Sequence, residues 1–83
     1  MNGSTVNVIY GNGEIYLAFD LQESKDLSIT IYSMLGEKIV AEEVKHVQKN
    51  KIKLSIDNFP SGIYVAVADM KNAVIARKII KMF

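Results

Sequence analysis

A small antiparallel β-sandwich of about seven short strands is the all-β fold that this 83-residue chain predicts. Three observations lead there. Apolar and polar residues alternate over Glu14–Leu21, Leu27–Tyr32 and Lys51–Ile56, the period of a strand with one face buried. Turn-forming clusters separate the runs: Gly11-Asn12-Gly13, Ser33-Met34-Leu35-Gly36, Pro60-Ser61-Gly62 and Met70-Lys71-Asn72, each rich in residues that bend a backbone cheaply. Two segments with helix formers, Ile39–Gln48 and Val74–Met82, are also β-branched and flanked by tight turns, which favours strand over helix.

In order, Thr5–Tyr10 sets Val6, Val8 and Tyr10 against Asn7 and Ile9, and Gly11-Asn12-Gly13 turns the chain as a tight hairpin does. Next, Ile15, Leu17, Phe19 and Leu21 share one face, with Glu14, Tyr16, Ala18 and Asp20 on the other. Gln22–Asp26 reads as a polar loop. Leu27, Ile29 and Ile31 then face inward, and Ser28, Thr30 and Tyr32 outward. Ser33–Gly36 closes a hairpin, with Gly36 the residue for positive φ, which glycine adopts without a Cβ clash. Glu37–Val44 returns as a strand whose phase slips around Val40, the mark of a bulge. Lys45–Asn50 reads as a basic, flexible turn. From the next run Ile52, Leu54 and Ile56 point inward, and Lys51, Lys53 and Ser55 outward.

The organising stretch is Asn58–Ala68. Pro60 fixes its own φ and holds Phe59 extended, and Gly62 lets the chain leave the turn as a strand. Ile63, Val65 and Val67 lie on one face of that strand; Tyr64, Ala66 and Ala68 lie on the other. Neither face is charged before Asp69, which predicts a central strand covered on both sides. Tyr64 then sits inside with a hydroxyl that needs an acceptor. Gly36, Pro60, Gly62 and Tyr64 are the fold-maintaining candidates. The last strand, Ala73–Phe83, has Val74, Ala76, Lys78, Ile80 and Met82 on one face, and Ile75, Arg77, Ile79, Lys81 and Phe83 on the other. Cations among large apolar residues on both faces predict an edge strand. Seven strands with near-regular turns amount to an immunoglobulin-like sandwich over residues 5–83. Residues 1–4 read as a disordered start or an expression remnant.

Composition narrows the function. Hydrophobic residues make up 49% of the chain, yet no run approaches the ~20 residues of a membrane span. There is no cysteine, hence no disulfide framework and no thiolate chemistry. A net charge of +1 argues against nucleic-acid binding. Residues 1–43 carry two lysines against seven acids, net −5, and residues 44–83 eight basic residues against two acids, net +6. The first residues lack the basic and apolar regions of a signal peptide. Asn2-Gly3-Ser4 fits a glycosylation pattern too short to carry weight.

No catalytic set emerges. His46 is the only histidine and sits in a basic stretch, so it reads as a solvated side chain. The spacing of Ser55, His46 and Asp57 does not build a triad. Glu42 and Glu43 are strand neighbours and point apart. Asp57-Asn58 offers two clear oxygen donors where calcium wants six or more, and Asp57 reads as a turn-forming side chain. Gly11-Asn12-Gly13 does not open a helix that could cradle phosphate. The chain reads as no enzyme, with no metal and no cofactor. Tyr16, Thr30 and Tyr32 suggest an exposed aromatic strip. On that basis the alternative reading is an immunoglobulin-like accessory or adhesive module of a surface enzyme, binding protein or glycan.

Three motifs occur in order. They are Ser28–Val40 with its Ser33-Met34-Leu35-Gly36-Glu37 centre, Phe59-Pro60-Ser61-Gly62-Ile63-Tyr64 running into Val65-Ala66-Val67, and the basic, apolar close Arg77–Phe83. Together they resemble the type A C-terminal sorting domains of the Bacteroidetes type IX (Por) secretion system, over Tyr10–Phe83. Tyr10-Gly11-Asn12-Gly13 stands where that family usually has Tyr-Pro-Asn-Pro, and Lys71-Asn72 occupies a turn where it usually has glycine. The resemblance implies an address at the end of a larger exported protein, such as a secreted hydrolase or adhesin. It implies passage through the periplasm to the outer membrane and cell surface or medium. The implied partners are the outer-membrane secretion machinery and a surface peptidase. Carried over residue by residue, the sorting set is Lys78, Ile79, Ile80, Lys81 and Phe83. An exposed final strand is also expected to pair edge to edge into a homodimer.

Overall fold

The computed structural model describes residues 4–71 and 73–82. Asn2 and Gly3 of the glycosylation pattern, Asn72 of the last turn and Phe83 of the sorting set lie outside the described residues. The strands are β1 (Thr5–Gly11), β2 (Glu14–Ser33), β3 (Lys38–Lys53), β4 (Gly62–Asp69) and β5 (Val74–Lys81). Every pairing is antiparallel. The strands form one sheet that curls into a half-barrel.

The all-β expectation holds, but there are five strands rather than about seven. The runs 14–21 and 27–32 are two halves of β2, and 38–44 and the first half of 51–56 belong to β3, which ends at Lys53. The stretches expected as a polar loop and a basic turn stay extended beside each other, with Asp20 opposite Lys49 and Lys25 opposite Val47. The ladder shifts register between Asp20 and Lys25 and again before Leu27. His46 takes φ 59° there, and its N–H donates to Asp26 Oδ1 at 3.0 Å. Extra residues in an antiparallel ribbon bend and twist it without cutting it. The polar composition therefore marks a bend.

The bend changes the ribbon's neighbours. Before it, β2 lies between β1 and β3; after it, β2 lies between β3 and β4, and β5 pairs with β4. Inward residues of both halves meet in one cluster. Ile15, Leu17, Phe19 and Leu21 come from the first half of β2, Leu27, Ile29 and Ile31 from the second, and Tyr64, Ala66 and Ala68 from β4. The inward face read from alternation along β2 is buried throughout. Val47, at the expected flexible turn, is 0% exposed and plugs the bend.

β4 is central, between β2 and β5, but only one of its faces is covered. Tyr64, Ala66 and Ala68 are buried, whereas Ile63 is 39% exposed and Val65 and Val67 are half-buried. No second layer of described residues covers that outer side, so its apolar residues form surface.

The turns follow their sequences. Asn12 (φ 50°) and Gly13 (φ 77°) both have positive φ, as a two-residue hairpin turn matched to strand twist requires. Gly36 has φ 85°, and its N–H donates to Ser33 O at 3.0 Å. The phase slip is a register shift: Ile31 faces Val40 but Tyr32 faces Lys38, so Ile39 is the extra residue. At the start of the described chain, Ser4 Oγ accepts from Gln22 N–H at 3.1 Å.

Candidate functional site

β5 pairs along its length with β4, from Gly62 opposite Lys81 to Asp69 opposite Val74. Alternation divides the sorting set between its two faces. Lys78 and Ile80 look outward, with Ile80 42% exposed and Met82 beyond it 80% exposed. Ile79 and Lys81 look inward, 0% and 3% exposed. In the folded domain, then, a partner can reach Lys78 and Ile80 from solvent. Ile79 fills the core, and Lys81 does something else.

Lys81 closes the Pro60 turn from below. Its Nζ donates to Ile56 O at 2.8 Å, to Asp57 O at 3.1 Å and to Phe59 O. Within the turn Phe59 N–H donates to Ile56 O at 3.1 Å, and the Tyr64 hydroxyl donates to Pro60 O at 2.5 Å. These carbonyls turn inward after β3 ends, where no ladder partner can serve them. A buried carbonyl without a donor is costly, and a buried ammonium is tolerated when acceptors surround it. One cation and one phenol solve both problems. Tyr64's need was readable from the sequence, whereas Lys81's role was not assigned. Its signal was its place in the alternation, on the same face as Ile79.

The outer edge of β5 faces β1 across a seam that has no ladder among the described residues. Side chains bridge it. Arg77 Nε donates to Val6 O at 2.8 Å, and Ile80 N–H donates to the Tyr10 hydroxyl at 3.0 Å. Since N–H and C=O groups alternate between the two edges of a strand, the backbone of Lys78 and Ala76 points into the same seam as Ile80 N–H. The edge strand expected from the sequence is therefore present, partly stitched. A groove of about 420 Å³ opens at one end of the seam, lined by Tyr10, Gly11, Asn12, Gly13, Ile80 and Met82.

Other candidates come apart. Tyr16 lies in the first half of β2, opposite Ile9 and Lys53, whereas Thr30 and Tyr32 lie beyond the bend, opposite Val67 and Val65. The expected aromatic strip is split between two halves of the sheet. Tyr16 belongs instead to a polar cluster: its hydroxyl donates to Glu14 Oε1 at 2.6 Å, Lys53 Nζ sits 2.9 Å from Glu14 Oε2, and Lys51 Nζ lies 5.5 Å from the ring centre. The Tyr16 hydrogen bond, then Lys53, holds the Glu14 carboxyl below its ordinary pKa; the same bond raises Tyr16, and Glu14 raises Lys53. Asp26 is lowered chiefly by the His46 N–H. His46 sits at the bend by Asp26, while Ser55 and Asp57 follow the far end of β3, so the three do not assemble. Among the described residues no three His, Cys, Asp or Glu side chains group as metal ligands.

One comparison bears on this geometry. A family model described as a secretion system C-terminal sorting domain matches residues 11–82. A comparison with curated proteins finds no match. The matched span runs from the first hairpin turn to the exposed Met82 and so contains the Pro60 turn, Lys81 and all of β5 except its bond partners in β1.

Proposed function

This chain belongs to the family of type IX secretion-system C-terminal sorting domains, and from that membership we propose that the outward face and seam edge of β5 are what the outer-membrane machinery reads. The family supports a sorting role without catalysis, toward export and the cell surface. The cargo would be a larger exported protein, a hydrolase or adhesin, that crosses the periplasm and is freed at the surface by a peptidase.

The observation that carries the reading is the division of β5. Ile79 and Lys81 fasten the strand to the core, which leaves Lys78 and Ile80 in a fixed, solvent-facing register. The Ala76 carbonyl on this edge accepts from Arg77 Nη1 at 3.0 Å, an exchangeable side-chain partner, so the Ala76–Lys78 edge suits docking by strand addition, and an exposed lysine adds selectivity for an acidic partner. The accessory-module reading has lost its geometric basis with the split tyrosine strip.

The test is export of a reporter fused ahead of residues 5–83 in a bacterium with this secretion system. Deleting everything after Ala76 would also remove Ile79 and Lys81 and so confuse folding with recognition. Lys78→Glu and Ile80→Glu leave both in place. The proposal expects these variants to fold and to accumulate in the periplasm while the unaltered fusion reaches the surface. Surface delivery of folded Lys78→Glu and Ile80→Glu fusions at the unaltered level would overturn it.

A further inference from the structure

The outer face of the second half of the sheet is a patterned surface, and cross-strand pairing resolves it into rows. One row is Lys38, Tyr32, Val65 and Lys78. The next is Ala41, Thr30, Val67 and Ala76. The third is Glu43, Ser28, Asp69 and Val74. Directly paired residues share a face, and the alternate residues, such as Ile31, Ala66 and Ile79, are buried. These rows therefore look outward. The face is basic at one end, neutral in the middle and acidic at the other. Among the described residues Lys38, Glu43 and Lys78 form no salt bridge within their own chain. Asp69 accepts one bond, from Lys71 N–H at 2.9 Å.

We propose that a second copy of this chain docks on this face, about a two-fold axis along the Ala41–Thr30–Val67–Ala76 row. Such an axis lays β3 over β3 and β5 over β5 with opposite directions. Each charged row stands two residues, about 7 Å, from the axis. Lys38 of one copy then faces Glu43 of the other, twice by symmetry. Lys78 faces Val74 of the other copy, beside its Asp69. The half-buried Val67 and Thr30 meet their own copies on the axis. A parallel stack would set lysine on lysine and acid on acid, which is repulsive. Stacked sheets stand about 10 Å apart, a gap that lysine and glutamate side chains bridge.

The size of the face sets the strength. Four strands at about 4.8 Å spacing, over roughly 20 Å of their length, give less than the ~800 Å² per partner of a standard interface. The dimer is therefore weak and concentration-dependent. It would cover Lys78, so self-association and docking of β5 would exclude each other. The inference rests on the charge rows alone and not on the sorting role.

Sedimentation equilibrium of the 83-residue chain, from micromolar to millimolar, tests it. The mass is expected to rise from 9.3 kDa towards twice that. Lys38→Glu and Glu43→Lys are each expected to weaken association by about tenfold or more. The double variant Lys38→Glu/Glu43→Lys restores it, because the pair is reversed and kept. Val67→Arg, on the axis, abolishes it. Circular dichroism confirms that each variant folds, and the two single variants check one another. A 9.3 kDa species at every concentration, a dimer indifferent to Lys38→Glu, or a double variant that fails to recover would overturn the proposal.

Discussion

Replacing Lys81 with methionine tests the account of β5 most directly. The substitution keeps the length of the side chain and removes its charge. The Ile56 carbonyl lies in the most buried of the three bonds; the Asp57 and Phe59 carbonyls are part-buried and can recruit water. The Ile56 carbonyl keeps its bond from the Phe59 N–H, so the loss is that of the bonds to the ammonium, each worth about 1.5–3 kcal/mol net. Against this, the variant no longer desolvates an ammonium, which offsets part of the loss. The balance is a destabilisation of about 2–4 kcal/mol, set against a total of roughly 4–12 kcal/mol for a domain of this size. The melting temperature should fall by roughly 10–25 °C. Urea unfolding followed by far-UV circular dichroism measures it, as the chain has no tryptophan. Lys78→Met is the control: on the exposed face it should change stability by no more than about 0.5 kcal/mol. Arginine should not rescue position 81, because a planar guanidinium cannot converge on three carbonyls as an ammonium does. Equal unfolding midpoints for Lys81→Met and Lys78→Met would refute the reasoning, and Lys81 would be an ordinary lysine despite its burial.

Other outcomes follow from the same geometry. Tyr64→Phe leaves Pro60 O without its donor and should cost about 1–2 kcal/mol in the same urea assay. Gly36→Ala forces a Cβ into φ 85° and should cost about 1–2 kcal/mol, although the space around it is open. Asp26 has a folded pKa below its unfolded one. Its contribution is therefore present above the unfolded value and fades as pH falls below about 4. Urea midpoints measured down that range should drop more for the unaltered chain than for Asp26→Asn. Arg77→Ala and Tyr10→Phe each remove one bridge of the seam and should speed amide exchange along β5 and β1 while leaving the β2–β3 ladder protected.

Much of the sheet was legible because alternation is a local property. Each inward residue of β2 could be read from a window of eight, and the hairpin turns announced themselves through Asn12-Gly13 and Gly36. The bend was not legible in the same way. Gln22–Asp26 and Lys45–Asn50 are polar whether they form loops or the exposed bend of a paired ribbon, and composition does not tell these apart. What settles the matter is that Asp26 caps the His46 amide from the other strand, a contact between residues twenty positions apart. The outer face of β4 failed for a related reason. An apolar strand face says that water is unfavourable there, not that this chain supplies the cover.

For the proposed site, alternation in the sequence set Lys78 and Ile80 on one face of the last strand and Ile79 and Lys81 on the other, but did not say which face is buried. Lys78 and Lys81 look alike in composition, three residues apart, yet strand alternation sends them to opposite sides. The consequence is physical coupling between folding and display. Lys81 can reach Ile56, Asp57 and Phe59 only after the Pro60 turn has formed and β5 has paired with β4. Until then its ammonium is solvated and the register of Lys78 and Ile80 is unset. Outward presentation of the β5 face thus depends on a bond network that exists only in the completed domain. On the proposed reading of β5, the position of two side chains would distinguish a folded tail from an unfolded one, without any separate sensor.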